Sequence, residues 1–135
     1  MKHLLIISLA TLSLLSCGKT DEDKAAPLLA KIDSLYKSGN YRATLDSITL
    51  LRSQYPQAIE ARKAALDIWQ EASLKMAQAD VAATDIQLQQ VADAINNETD
   101  RYRRNMLTVK RDSLQARYEA MCGVVKMIRM RQKQH

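Results

Sequence analysis

The sequence predicts an all-α fold, and three observations carry that expectation. Only three glycines and two prolines occur in 135 residues, a composition for long helices with few tight turns. From Leu28 onward, apolar residues recur at spacings of three and four, the signature of one helical face. Residues 57–95 contain neither glycine nor proline, so nothing there interrupts a helix. There is no phenylalanine, so stability must come from aliphatic packing.

The first helix opens near Ala25 and presents Leu28, Leu29, Ile32, Leu35 and Tyr36 on one side. Ser38-Gly39-Asn40 stops it, because Gly39 suits the left-handed position past a helix end. Tyr41, Leu45, Ile48 and Leu51 mark a second helix, halted at Tyr55-Pro56. Two helices joined by so short a turn form an αα-hairpin. Next comes the unbroken run 57–95, in which Leu74, Ala77, Val81, Thr84, Leu88, Val91 and Ile95 alternate without a slip. That is a coiled-coil seam. Residues 96–100, Asn-Asn-Glu-Thr-Asp, combine weak helix formers with good caps, and a reversal fits there. The last helix spans about 101–131, with Leu107, Leu114, Tyr118, Met121, Val125 and Ile128 on its seam and Arg111 interrupting it. Two long helices with a short connection fold back antiparallel. The alternative is one unbroken rod that dimerises.

Ahead of this helical body lies a different composition. MKH is followed by the apolar run 4–15, which is short of the ~20 residues that span a bilayer. Its length and flanks fit a secretory signal peptide, residues 1–16. Leu14-Leu15-Ser16-Cys17 resembles the lipobox of bacterial lipoproteins; an ordinary signal peptide with an accidental cysteine is the other reading. The resemblance implies that the Cys17 sulfur carries a diacylglyceryl group and becomes the acylated first residue, anchoring the protein to a membrane. Gly18 stands where an aspartate retains some lipoproteins in the inner membrane, so the expected location is the outer membrane. Residues 17–24 then read as the lipidated cysteine and a flexible, solvated acidic tether. Within them, Lys19 followed by Asp21, Glu22 and Asp23 is similar to the surface-export signal of Bacteroidota lipoproteins, with Thr20 interrupting it. Surface exposure is therefore favoured over a periplasmic orientation.

Residues 25–56 resemble one tetratricopeptide repeat. YKSGNY matches the repeat's turn, with Gly39 and Tyr41 at its glycine and aromatic positions, and Pro56 stands at its closing proline. Leu35 fills the large hydrophobic position, whereas Thr44 replaces the usual small alanine and Lys31-Ile32 the Leu-Gly pair. One repeat cannot bury its own face. The following helix must cover it, with Ile59, Leu66 and Trp69 as the expected inward residues. Residues 57–135 would form the long coiled-coil-like hairpin with its basic C-terminal end. A lipobox followed by such a repeat is also similar to the outer-membrane-assembly lipoproteins, implying a periplasm-facing accessory role as the alternative.

The charge is uneven. Residues 18–100 hold 9 basic and 13 acidic side chains, while 101–135 hold 10 basic and 2 acidic. Both histidines, His3 and His135, lie at the chain ends, and there is no HExxH or glycine-rich phosphate loop. No catalytic residue, metal ligand or cofactor site is expected, and the chain reads as a non-catalytic interaction or scaffold module. Tyr36, Tyr41, Tyr55 and Trp69 are the candidate protein-binding residues; packing is their other use. Lys126, Arg129, Arg131 and Lys133, interleaved with Met127, Ile128 and Met130, are candidates for an anionic envelope polymer or lipid headgroups. A solvated helix end whose cations complement the dipole explains them equally well. No motif points to specific nucleic-acid recognition. Cys122, on or beside the seam, is expected to be a buried and inert thiol, with an intermolecular disulfide as the other reading.

Overall fold

The computed structural model describes residues 19–134, and these form four helices: α1 (Asp21–Lys37), α2 (Tyr41–Gln54), α3 (Ile59–Asn97) and α4 (Arg101–Gln132). Cys17 and the preceding residues lie outside this range, as does His135. The fold is all-α. A short α1–α2 hairpin packs on the first part of α3, and α4 runs back antiparallel along the rest of it. At 39 residues, α3 is about 58 Å long and joins both halves.

Local chemistry sets each boundary. The α1 helix ends in a Schellman arrangement: Gly39, at φ +78°, donates to Tyr36 O, and Asn40 N–H reaches back to Leu35 O. Asn40 then caps α2, its Oδ1 accepting from Ala43 N–H. Thr44 is fully buried, and its hydroxyl donates to Asn40 O at 2.8 Å, so the polar atom at an alanine-like position is satisfied locally. At the long reversal, Asp100 caps α4 by accepting from Arg103 N–H at 2.8 Å. The chain therefore turns at residues 98–100 rather than continuing as a rod.

The core is a cluster of Ala25, Ile32, Ile48, Leu51, Ala58, Ala61 and Ala65, against which Leu28, Leu29, Tyr55, Ile68 and Trp69 pack. Alanines on α3 let the α1–α2 hairpin approach its backbone closely. Beyond the core, the α3 seam faces inward as spaced, with Ala77, Thr84 and Val91 buried and the intervening seam residues half-buried. On α4, the six seam residues are half-buried and none of the helix is fully buried. Arg111, at the break in the seam, is exposed and bonds to the Asp112 carboxylate. Register between the long helices is marked by the Arg117–Asp80 ion pair and by Gln132 Nε2 donating to Glu71 Oε1 at 2.7 Å.

Three expectations are corrected. The acidic run is not a solvated tether, because α1 begins at Asp21, four residues before Ala25. Thr20 and Asp23 form a reciprocal capping box, and Glu22 accepts from the N–H groups of Glu60 at 2.8 Å and Ala61 at 3.2 Å. The physical reason lies at α3, whose N-cap Ala58 has no side chain to satisfy those donors. Ile59 does not point inward but is 48% exposed, because Ala58, Ala61 and Ala65 take the core side of that turn. Cys122 is half-buried rather than buried, since the flank of a two-helix seam has no third layer to cover it.

Candidate functional site

The helical register creates a largely apolar groove where the C-terminal part of α4 packs along the first half of α3. Trp69, Gln70 and Ser73 from α3 line one wall, and Val124, Met127, Ile128 and Arg131 from α4 line the other; the volume is about 290 Å³. Ser73 stands opposite Val124 because each sits one heptad from a paired position: Asp80 and Arg117 are both seven residues nearer the turn. Most of the exposed lining is apolar, with Gln70 and Ser73 as its polar side chains besides Arg131. Arg131 is exposed, and the Arg52 guanidinium, outside this lining, lies 5.9 Å from the Trp69 ring centroid, within cation–π range. Behind Arg52, a second cleft of about 310 Å³ is bounded by Ile59, Arg62, Lys63 and Leu66. Arg62 Nη1 donates to Pro56 O at 2.7 Å, while its buried Nε has no partner among the described residues. Trp69 thus sits between two clefts edged by cations.

Sequence-predicted candidates separate into five places. Trp69 and Arg131, proposed for different ligands, meet in one groove. Tyr36 and Tyr41 pair across the Gly39 turn with ring centroids 5.8 Å apart. Burial above all, then the charges of Glu71 and Tyr41, raises the Tyr36 phenol above its ordinary value. Tyr55 packs on the core cluster, as expected of a structural aromatic. Lys126, Arg129 and Lys133 share a different side of α4 with Cys122, Val125 and Met130. Nearby, the Cys122 sulfur one turn on, charged once deprotonated, raises the Tyr118 phenol, with a hydrogen bond and burial acting in the same direction. Asp21, Glu22 and Asp23 lie in the first turn of α1, with Lys19 exposed just before it.

Sequence reasoning missed Arg52, Gln70, Ser73 and Val124, and named Met127 only as an apolar neighbour of the basic tail. Heptad bookkeeping on both long helices would have found Ser73 opposite Val124; Arg52 comes from another hairpin and carries no such signal. Among the described residues, no group of three or more His, Cys, Asp and Glu is placed to hold a metal ion, and no helix is long and apolar enough to cross a membrane. The groove can hold apolar side chains and attract acidic neighbours. Comparison with known protein families, curated proteins and solved structures found no match for the chain.

Proposed function

We propose that this is a lipid-anchored outer-membrane protein whose helical body is a non-catalytic protein-interaction module. The observation that carries the reading is the Trp69–Met127 groove, a largely apolar surface with the exposed Arg131 in its lining and Arg52 close to the Trp69 ring. Apolar clefts between packed helices are places where binding sites commonly form. The cations at its edge favour a partner that offers carboxylates beside its apolar contacts. Cys17, in its lipobox-like setting, supplies the anchor; the α1–α2 hairpin acts as a tetratricopeptide-like brace that fixes α3.

Two comparisons test the reading. Cys17→Ser abolishes detergent-phase partitioning if the cysteine is acylated; unchanged partitioning removes the anchor. Capture from detergent-solubilised envelopes, with wild-type and Met127→Glu protein as baits, tests the groove. The same envelope protein must be retained by the wild type and lost by the variant, and equal retention removes the groove. The patch of Lys126, Arg129 and Lys133 supports a second reading, contact with an anionic envelope polymer.

A further inference from the structure

The outward side of α4 carries a second stripe that the hairpin does not use. Tyr102, Met106, Val109, Met127 and Met130 are 73%, 55%, 64%, 55% and 51% exposed. They belong to a series stepping alternately by four and three residues from 102 to 130, completed by Ser113, Ala116, Ala120 and Gly123. None of these nine positions is charged, although the 35 residues from 101 onward carry 10 basic and 2 acidic side chains. This series repeats every 3.5 residues, the period of a helix-packing seam.

Charge identifies what covers it. Arg103, Lys110, Arg117 and Arg131 run along one edge, and Lys126 and Lys133 continue the other beyond Asp112 and Glu119; all are exposed. Lys110, Lys126, Arg131 and Lys133 have no ion-pair partner among the described residues. A second α4 would set one strongly cationic helix against another, which charge repulsion opposes. A planar anionic membrane has no use for a 3.5-residue register or for small residues at the centre of the stripe. A helix does: small residues let its backbone approach, and large ones at the ends clasp it. Gly123 adds to this, since a Cβ there would meet nothing within 4 Å and glycine is unfavourable in a helix interior.

We infer that α4 docks, along its outward stripe from Tyr102 to Met130, an α-helix of a partner protein whose apolar stripe is edged by Asp and Glu. The contact is about 42 Å long, and Met127 makes it continuous with the Trp69 groove. This inference rests on the protein-interaction reading above and specifies the chemistry of the partner.

The test uses purified protein and three probes. One is a synthetic 28-residue helical peptide with leucine and alanine on a three–four repeat and glutamate on both edges. Another is the same peptide with lysine edges. The third is vesicles of equal parts phosphatidylglycerol and phosphatidylcholine. The glutamate peptide binds, and the double variant Ala116→Arg/Ala120→Arg, checked for unchanged helicity, binds it at least tenfold more weakly although it adds two positive charges. Gly123→Leu, which has open space for its side chain, also weakens binding while keeping the fold. Equal or tighter binding by the double variant would mean charge alone, and would overturn the inference. Equal binding of the lysine-edged peptide overturns it too, as does binding to vesicles but not to the glutamate peptide. If Met127 still governs envelope capture while the glutamate peptide fails to bind, the interaction module stands and the acidic-helix partner falls.

Discussion

The Glu22 carboxylate accepts the backbone N–H of Glu60 at 2.8 Å and so caps α3 from a helix 38 residues away. Its second oxygen takes the Ala61 N–H at 3.2 Å. A helix N-terminus leaves several donors without partners and carries partial positive charge, and a carboxylate answers both. Glu22→Ala should therefore cost about 1–2 kcal/mol, the range for losing a helix cap. Thermal unfolding followed by circular dichroism should show a drop of roughly 4 °C for each kcal/mol lost. Lys24→Ala, which removes only the exposed 3.7 Å pairing with Asp21, should be nearly neutral. Equal effects from the two would remove the cap from the account.

The capping box at the start of α1 should report its own pH dependence. Hydrogen bonds from the Thr20 side chain and then its backbone, with a smaller contribution from Lys19, hold the Asp23 carboxyl below its usual range against a little desolvation. A carboxyl depressed in the folded state stabilises the fold above its unfolded pKa, and that contribution is lost as pH falls through the folded value. A carbon-detected NMR titration should therefore find Asp23 protonating at lower pH than an ordinary aspartate. Thr20→Ala should move it back up, and an unmoved titration would mean that Thr20 is not the cause.

Register along the long hairpin can be tested by a pair of neighbours. Leu88 is half-buried on the seam and Gln87 is exposed beside it. Leu88→Asp should destabilise by about 3 kcal/mol, because a carboxylate there loses apolar contact and part of its hydration. Gln87→Asp should stay within about 0.5 kcal/mol of wild type. Similar melting curves for the two variants would contradict the register.

The helices were legible in the sequence because their causes are local. Gly39 and Asn40 carry the turn between α1 and α2 in their own conformational and capping preferences, and Asp100 does the same before α4. The seam from Leu74 to Ile95 was legible because helical spacing alone puts those residues on one face. Glu22 was not legible as a cap, since nothing in its neighbourhood specifies Glu60 as its partner. Nor was the groove. It depends on α4 returning in the register that sets Val124 against Ser73 and Arg131 near Trp69. Ile59 misled because a large apolar residue at a helix start was weighed above the alanines that permit close packing.

The structural role of the acidic run changes how the proposed surface sorting must be tested. Glu22 and Asp23 hold the fold, so replacing the whole run would confuse sorting with unfolding. Among the described residues, Asp21 makes one ion pair, the exposed one with Lys24, and is the suitable position. Under the surface-export reading, Asp21→Ala shifts protein from the cell surface to the periplasm while its melting curve stays unchanged. Protease added to intact cells measures this. Wild-type protein protected until lysis would make the protein periplasm-facing.

The most direct test of the interaction module is photo-crosslinking in intact cells from a reactive residue at position 127, in the groove. The same group at exposed position 46, on α2, serves as the control. A discrete, light-dependent adduct with one envelope protein is expected from position 127 and none from position 46. Adducts from both positions alike, or no protein adduct from position 127, would contradict the interaction module.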